Sequence, residues 1–406
     1  MFFSLFSIAN FKYFIYNEIV RKIYIMVIFM KKINVALVGL GFGGAFAAIY
    51  KAHPFVNELT VFDLNGELCR RTASFIGGAR IASSFEEILR DRSIDAVHLV
   101  TPIPYHADAA VRALSSGKHC ACTVPMATSL EDIRRINDAV QRSGKEYMLM
   151  ETTLYTYQFL YVKNMLESGE LGKIQFLRGS HYQDMQGWPE YWEGLPPMWY
   201  GTHAISPMRM LAGADFARVS CLGSGSMSEK LQKKYGNPYP VESAHFIFEN
   251  GLKGEATRSL FETAREYQEG MFVYGSKASF EWGFRDWDDP YITTLENLKD
   301  NVRGARAVVE VKQMPNFYQR LPKELWRFTV GENYDPLNPQ DSLKKGSGGG
   351  HHGSHPHLVH EFVSSIVEGR KPAIDVKLAS NITAACVCAH ESAMRSGEFI
   401  DIPRIF

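Results

Sequence analysis

The sequence is poor in cysteine and has no excess of charge of either sign. Its six cysteines include two pairs with the spacing Cys-x-Cys, which is the spacing of neither a zinc knuckle nor a redox motif. Buried free thiols in a reducing compartment are therefore expected. Lysine plus arginine and aspartate plus glutamate number 44 each, without a basic cluster. Nucleic acid is for this reason not an expected partner.

A long apolar run is also missing. Residues 1–29 are rich in Phe, Tyr and Ile, but charged side chains divide them, and no uncharged stretch reaches the roughly 20 residues of a membrane span. They also lack the small-residue cleavage site of a secretory signal. We expect no membrane association. We interpret residues 1–29 as a leader outside the folded domains, with translation starting at Met30 or Met26.

What the sequence does contain is the composition of a globular enzyme. Hydrophobic residues make up 46% and charged residues 22%. A chain of 406 residues is too long for one ordinary domain and suggests two.

The most informative stretch is VALVGLGFGG at residues 35–44. An apolar run, the spacing Gly-x-Gly-x-x-Gly and a helical pattern follow one another here, which is typical of a dinucleotide-binding turn. Gly39 permits the tight turn, Gly41 lets the backbone approach a pyrophosphate, and Gly44 allows close packing of helix on strand. The cofactor-binding residues predicted from this loop are Gly39, Gly41, Phe42, Gly43 and Gly44.

Strand and helix patterns alternate from residue 33 to residue 150, as in a parallel sheet covered by helices. The second strand ends in Asp63, about 20 residues after the glycines. A carboxylate there accepts hydrogen bonds from both ribose hydroxyls and repels a 2′-phosphate. The sequence therefore predicts a doubly wound Rossmann domain over residues 30–150 that binds NAD rather than NADP.

The pattern changes after residue 151. Helical and β-rich stretches alternate irregularly, which indicates an α+β domain with a mainly antiparallel open sheet over residues 151–406. The helical stretches are expected at about 158–168 and 376–396, and the β-rich ones at 174–183, 244–248, 252–262 and 270–282.

Two further motifs follow the predicted fourth and fifth strands. They read Thr-Pro-Ile-Pro-Tyr-His at 101–106 and Cys-Thr-Val-Pro-Met-Ala at 122–127. With the glycine loop and His203, they give a chain that resembles the glucose-fructose oxidoreductase/inositol dehydrogenase (Gfo/Idh/MocA) family from about residue 33 onward. The resemblance implies hydride transfer between NAD and a hydroxyl of a sugar or related polyol, in a homodimer or homotetramer.

The chain also departs from that family. The family's usual Glu-Lys-Pro is Thr123-Val124-Pro125 here, and Trp199 stands where an acid usually precedes the histidine. Valine transfers no proton. Its presence resembles NAD-dependent glycosidases and glycoside oxidoreductases of this superfamily, in which a sugar 3-hydroxyl is oxidised and a glycosidic bond can then be eliminated.

Candidate catalytic and cofactor residues follow from these positions. His203 falls where the family has its active-site histidine, and imidazole titrates near neutral pH, as a proton acceptor must. Tyr200, three residues earlier, assists His203 or takes its place as the proton acceptor. The alternative is that the Tyr200 ring only makes a packing contact. At the carboxyl edge of the parallel sheet, further contacts to the cofactor are expected from Thr101, Pro102, His106, Val124, Pro125 and Glu151.

Candidate substrate residues come from two clusters. Aromatic residues crowd 182–200, and indole faces suit the C–H faces of pyranose rings, so Trp192 and Trp199 are predicted to stack on a sugar. Five histidines lie within residues 351–360. Because no Cys or Asp lies among them, we favour sugar contacts by His352 and His355 over a metal site, with a surface loop as the alternative.

These observations predict a cytoplasmic NAD-dependent oxidoreductase acting on a sugar or glycoside hydroxyl, with the 3-hydroxyl as the candidate position. Two alternatives stay open. One is a glycosidase that retains NAD and acts by oxidation and elimination. The other is a regulatory protein that binds NAD without catalysis.

Overall fold

The computed structural model describes residues 31–296, 304, 306–329 and 350–406, so that the predicted leader lies outside the described residues. Its first part is a six-stranded parallel sheet with the strand order β3-β2-β1-β4-β5-β6. The strands are β1 (Ile33–Val38), β2 (Val56–Phe62), β3 (Arg80–Ile81), β4 (Ala96–Leu99), β5 (His119–Thr123) and β6 (Tyr147–Met150). The helices between them are α1 (Gly44–Ala52), α2 (Gly66–Phe75), α3 (Phe85–Arg90), α4 (His106–Ser115) and α5 (Leu130–Ser143).

Local sequence explains where these helices begin and end. The Ser129 hydroxyl accepts a hydrogen bond from the backbone N–H of Asp132 at 3.1 Å and so caps α5. The helix stops at Gly144, whose φ of 63° is the left-handed conformation that glycine adopts without strain. In between, Ile133 and Ile136 are fully buried in the hydrophobic core. The strand order and the alternation confirm the predicted Rossmann fold.

The second part is a nine-stranded sheet with the order β14-β13-β12-β11-β7-β10-β9-β8-β15. Every described pair of strands in it is antiparallel except β7 and β10, which confirms the mainly antiparallel sheet. Its strands are β7 (Ile174–Tyr182), β8 (Phe216–Ser224), β9 (Val241–Phe248), β10 (Lys253–Ser259), β11 (Gln268–Gly275), β12 (Ala278–Glu281), β13 (Tyr291–Glu296), β14 (Arg306–Val311) and β15 (Ile400–Asp401). Its helices are α6 (Tyr157–Glu167), α7 (Thr202–Ala212), α8 (Glu229–Tyr235), α9 (Gly350–Glu368) and α10 (Val376–Met394).

Two helices from the end of the chain join the sheets into one core. The Ser380 hydroxyl of α10 accepts a hydrogen bond from the Asn137 amide of α5 at 2.6 Å. On the other side of α10, the Asn381 amide bonds both backbone groups of Phe216 at the start of β8. Helix α9 packs on α1 of the first sheet. These contacts hold the two sheets at a defined separation, and the functional cavity lies between them.

Within the described residues, none of the helices combines the length and the apolar character that crossing a bilayer requires.

Candidate active site

A cavity of about 820 Å³ lies where the carboxyl ends of the parallel strands face the second sheet. Both parts of the chain line it, and its volume is in the range of small-molecule and cofactor sites. The residues that line the cavity include Gly41, Asp63, Thr101, Val124, His181 and His203.

The glycine loop forms one end of this cavity. A Cβ on Gly39, whose φ is 88°, would lie 2.3 Å from the Val100 carbonyl oxygen, so the turn against β4 requires glycine. A Cβ on Gly41 would meet no atom within 4 Å, because this residue faces the open cavity. The close packing that the sequence analysis assigned to Gly44 is found at Gly43, where a Cβ would lie 2.0 Å from the Gly39 carbonyl. Gly44 begins α1.

Asp63 lies in the same wall, one residue after β2. Its Oδ2 accepts a hydrogen bond from the Leu40 N–H at 2.7 Å, and its Oδ1 accepts one from the Asn65 N–H at 2.8 Å. The carboxylate is thereby fixed in orientation at the cavity, and each oxygen keeps a lone pair for a further donor. Phe42, which is 48% exposed, lies beside it in the wall.

The loops after β4 and β5 form the next section of the wall. Thr101, Pro102 and Val124 line the cavity. His106 also reaches it, but the ring lies between two backbone carbonyls, with Nε2 2.7 Å from Thr101 O and Nδ1 2.7 Å from Pro125 O. The predicted cofactor contact by His106 is therefore replaced by a bridge between the two loops. Pro125 supplies a carbonyl to that bridge and is not part of the cavity lining.

At the centre of the cavity wall, His203 in the first turn of α7 is paired with Glu151. The His203 Nδ1 lies 2.5 Å from Glu151 Oε1, which also accepts a hydrogen bond from the Thr153 N–H at 3.1 Å. Glu151 is 0% exposed and does not line the cavity, so the structure does not bring it to the cavity surface where the contact with cofactor or substrate is predicted. Its position beneath the ring leaves the Nε2 of His203 free.

Charge and burial set the pKa values of this pair in opposite ways. Burial, the largest single effect, lowers the pKa of His203, but the carboxylates of Glu151 and Glu269 together outweigh it, and the pKa is raised above its ordinary value of 6.5. Burial by itself raises the pKa of Glu151, but the charge and hydrogen bond of His203 leave it lowered. Glu151 is thus a carboxylate at neutral pH, and it fixes the orientation and charge of His203.

Aromatic side chains form the opposite wall. The Tyr200 ring lies 5.3 Å from the His203 ring and 4.8 Å from the Trp192 ring, both edge-on. Burial raises the pKa of Tyr200, so its hydroxyl stays protonated and donates a hydrogen bond rather than accepting a proton. Trp192 lines the cavity, whereas Trp199 packs on Tyr235 and on His390 of α10. The 3-10 turn Pro197–Tyr200 sends the neighbouring side chains of Trp199 and Tyr200 to different sides.

The histidine-rich segment contributes a different residue from those predicted. His351 lines the cavity, while His352 and His355 are 3% and 2% exposed and face away from it. The His352 Nε2 lies 2.6 Å from an Asp286 carboxylate oxygen, and His355 packs on Phe46 of α1. The structure therefore does not bring these two residues, which are predicted to contact a sugar, to the cavity surface. Residues 351–353 all have a left-handed φ of 44° to 77° at the start of α9, and this conformation decides which ring enters the cavity.

Sequence reasoning missed several polar residues of the cavity region, among them His181 and Glu269. His181 on β7 lies in the cavity wall and pairs directly across the sheet with Glu269 on β11. Both ring nitrogens of His181 and the Oε2 of Glu269 are buried without a hydrogen-bond partner among the described residues. Tyr267 donates its hydroxyl to Glu269 Oε1 at 2.5 Å. Nothing in the local sequence marks these residues, because they stand in strands with an ordinary core pattern.

Comparison with known protein families identifies the family of this chain. The oxidoreductase family with an NAD-binding Rossmann fold, GFO/IDH/MocA, matches residues 33–151, and the C-terminal domain of the same family matches residues 159–281. The chain belongs to the Gfo/Idh/MocA family. It is therefore a member of an NAD-binding oxidoreductase family, which confirms the predicted resemblance and the cofactor.

Individual relatives within the Gfo/Idh/MocA family are distant. Levoglucosan dehydrogenase of Pseudarthrobacter phenanthrenivorans is 28% identical over 321 residues, which are 69% of this chain and 80% of that protein. The α-N-acetylgalactosaminidase of Shewanella oneidensis is 27% identical over 198 residues, or 45% of this chain and 42% of that protein. The match to the second relative thus spans less than half of its length.

Solved structures agree in fold. Levoglucosan dehydrogenase in complex with NADH and levoglucosan superposes with a TM-score of 0.72 at 23% identity, covering 92% of this chain and 100% of that one. A myo-inositol 2-dehydrogenase from Lactobacillus plantarum gives a TM-score of 0.68 at 16% identity, over 92% of this chain and 100% of that one. At these identities the likeness establishes the two-sheet fold.

Proposed function

We propose that this protein is an NAD-dependent oxidoreductase acting on a hydroxyl of a sugar or glycoside, with the 3-hydroxyl as the candidate position. The observation that carries the proposal is the Glu151–His203 pair, which places a proton-accepting imidazole in the same cavity as the glycine loop and Asp63. The 28% identity with a levoglucosan dehydrogenase over most of both chains supports a carbohydrate substrate.

The residues present fit the cofactor. The backbone at Gly41 is open to the cavity, where a phosphate can approach it, and the oriented Asp63 carboxylate suits ribose hydroxyls and disfavours a 2′-phosphate. Thr101, Pro102 and Val124 continue the same wall toward His203. When bound, the nicotinamide supplies the hydride acceptor or donor.

The chain's own residues handle the proton and hold the sugar. His203 in its neutral form accepts the hydroxyl proton at Nε2, and Glu151 stabilises the resulting imidazolium through Nδ1–H. Trp192 and Tyr200 present apolar ring surface to a sugar, and the protonated Tyr200 hydroxyl donates to one of its oxygens. Val124 contributes only shape.

One experiment tests this function. The protein is incubated with NAD and a panel of gluco-, galacto- and N-acetyl-glycosides, and the products are examined by NMR. A keto-sugar formed together with NADH is expected. NAD that binds without turnover of any glycoside would contradict the proposal and favour a regulatory protein.

A second candidate function is an NAD-retaining glycosidase. Val124 in the position of the family's lysine and the similarity to an α-N-acetylgalactosaminidase favour it. In the same incubations it predicts release of a reducing sugar without net formation of NADH.

Replacing Glu151 with glutamine tests the role of the pair through pH. Protonated His203 cannot accept the substrate proton, so kcat/KM for oxidation falls as pH decreases through the raised pKa of His203. Glu151→Gln removes the larger of the two carboxylate charges that raise this pKa, and it leaves burial, which lowers the pKa, and the Glu269 charge, which still raises it. The acidic limb of the pH profile is expected to move to lower pH. An unchanged limb would show that Glu151 does not act through His203.

We also propose a homodimer or homotetramer in the cytoplasm. All six cysteines are buried free thiols, which suits a reducing compartment.

One face of the β13–β14 pair offers an apolar surface for a second copy, because Leu295, Val309 and Val311 project from it and are 57% to 59% exposed. Light scattering on the purified full chain is expected to give the mass of two or four copies. A monomer at micromolar concentration would contradict the assembly.

A further inference from the structure

One arginine side chain is fully buried behind the cavity wall. Arg258 on β10 is 0% exposed and does not line the cavity. Burying a charged group costs free energy unless its donors are bound and its charge is opposed. A guanidinium carries five N–H donors in a rigid plane, so its acceptors must lie in fixed directions around it. The groups that bind and oppose Arg258 therefore indicate what its burial achieves.

The hydrogen bonds of Arg258 converge on the cavity wall. Its Nε donates to the Tyr200 carbonyl at 3.0 Å, and its Nη1 donates to the His181 carbonyl at 3.1 Å. The Nη1 also donates to the Ser259 carbonyl, and the Nη2 donates to Gln183 Oε1 at 3.2 Å. Tyr200, His181 and Gln183 all line the cavity. Since Tyr200 ends the 3-10 turn before α7 and the other two lie on β7 or directly after it, one side chain holds two segments of the wall together.

Tyr200 is held by its ring as well as by its carbonyl. The Arg258 guanidinium carbon lies 5.4 Å from the centroid of the Tyr200 ring, within the range of a cation–π contact. That ring lies 5.3 Å from the ring of His203, which follows three residues later in the first turn of α7. Arg258 therefore fixes both the neighbour of the proton acceptor and the chain that leads into its helix.

The positive charge of Arg258 also acts on His203. Burial lowers the pKa of Arg258 to about 10, so the guanidinium stays protonated at neutral pH. At His203, burial lowers the pKa, the carboxylates of Glu151 and Glu269 raise it, and the charge of Arg258 lowers it again. Arg258 thus limits how far the two carboxylates raise this pKa. More of His203 stays in the neutral form, which is the form that accepts a proton.

The other titratable groups around His203 are neutral. The pKa of His181 on β7 is lowered by burial and by Arg258, and the pKa of His351 in α9 is lowered by burial, so both imidazoles are uncharged at neutral pH. Burial raises the pKa of three further groups, which therefore stay protonated: Tyr200, Tyr267 and Cys386. Among these described groups, Arg258 is the cation that opposes the two carboxylates while His203 is neutral.

We propose that Arg258 is a positioning residue of the active site, which holds three residues of the cavity wall around His203 and opposes the two carboxylates that act on it. It acts from behind the wall and does not touch the reacting atoms, so it is not a catalytic residue. This role rests on the proposed function, in which neutral His203 accepts the hydroxyl proton at Nε2.

The charge of Arg258 is tested by measuring the pKa of His203 in the full-length protein, by NMR of ¹³C-labelled histidine side chains. His203→Ala identifies the signal. Arg258→Gln removes the charge and keeps an amide donor, so the pKa of His203 is expected to rise by about one unit. Arg258→Lys keeps the charge and should leave this pKa close to the parent value. In oxidation of methyl glucopyranoside and methyl galactopyranoside, the acidic limb of kcat/KM for Arg258→Gln should move to higher pH, opposite to the direction expected for Glu151→Gln.

Arg258→Lys tests the holding of the wall. A lysine ammonium cannot bind several oxygens in the planar arrangement of a guanidinium. KM for the glycoside is expected to increase about tenfold, as for the loss of one hydrogen bond to a charged group, while NAD affinity stays unchanged. The matched control is Arg209→Gln on α7, where the Arg209 Nε donates to Asp215 Oδ1 at 2.8 Å outside the cavity lining. This control should lower stability without changing KM or the pKa of His203.

The outcomes separate this role from the function. An unchanged pKa of His203 in Arg258→Gln, an equal rise in Arg258→Lys, or an unchanged KM in Arg258→Lys overturns the inference. Loss of the native circular dichroism in both variants limits Arg258 to a role in folding and overturns it as well. The NMR measurement needs no turnover, so a parent protein that oxidises no glycoside contradicts the proposed function while the pKa of His203 still decides the role of Arg258.

Discussion

Replacing His203 with alanine is expected to lower kcat for glycoside oxidation by about 10² to 10⁴-fold, the usual contribution of a positioned proton acceptor. The imidazole lies in the cavity wall with its Nδ1 on Glu151, and its pKa is raised. Burial instead lowers the pKa of the other described histidines that line the cavity, which are His106, His181 and His351. NAD affinity is expected to stay nearly unchanged, because the glycine loop and Asp63 lie in another part of the wall. Steady-state kinetics and NAD titration measure the two quantities.

The chain offers a matched control for this variant. His390 of α10 forms a second buried pair, with its Nδ1 2.6 Å from a Glu242 carboxylate oxygen, but it does not line the cavity. His390→Ala removes the same kind of interaction and should lower stability without lowering kcat comparably. If both variants lose activity in proportion to their loss of stability, His203 has a structural role only.

Replacing Gly39 with alanine is expected to destabilise the protein by about 2–5 kcal/mol and to weaken NAD binding in parallel. The left-handed φ of 88° costs an L-residue about 1–2 kcal/mol, and the overlap of the new Cβ with the Val100 carbonyl adds about 1–3 kcal/mol. Since the same turn presents Gly41 to the cavity, any shift that relieves the overlap also moves the cofactor-binding backbone. Denaturant unfolding and NAD titration measure both effects.

Gly144 separates conformational strain from steric overlap. It also has a left-handed φ, of 63°, but a Cβ there would meet no atom within 4 Å. Gly144→Ala should therefore cost only the conformational part and leave NAD binding unchanged. Equal losses in the two variants would show that the contact with Val100 is unimportant.

Local patterns in the sequence were sufficient for the first sheet. An apolar strand, a glycine turn and an amphipathic helix are each encoded within about 20 residues, and β1, α1 and Asp63 lie where that pattern places them. The second sheet was less predictable. Its strands β8, β13, β14 and β15 were not identified, because antiparallel strands joined by long connections leave weak local signals.

The predicted and observed positions of the site residues differ for one reason, which is the direction in which each side chain points. The composition of the segments at 188–200 and 351–357 correctly indicated that aromatic and histidine side chains border the cavity. Which ring enters it depends on single backbone conformations, such as the left-handed φ of His351 or the 3-10 turn that separates Trp199 from Tyr200. Glu151 was likewise placed at the correct edge of the sheet but on the wrong side of His203.

The sequence by itself determined the cofactor domain, NAD as the cofactor and the family, because those features depend on residues close together in the chain. Only the tertiary structure decided which polar groups meet in the cavity. The pairing of Glu151 with His203 and of His181 with Glu269 depends on strand register and on the packing of α7 against β7. Contacts between residues 52 and 88 positions apart arise from the whole fold, and no local pattern encodes them.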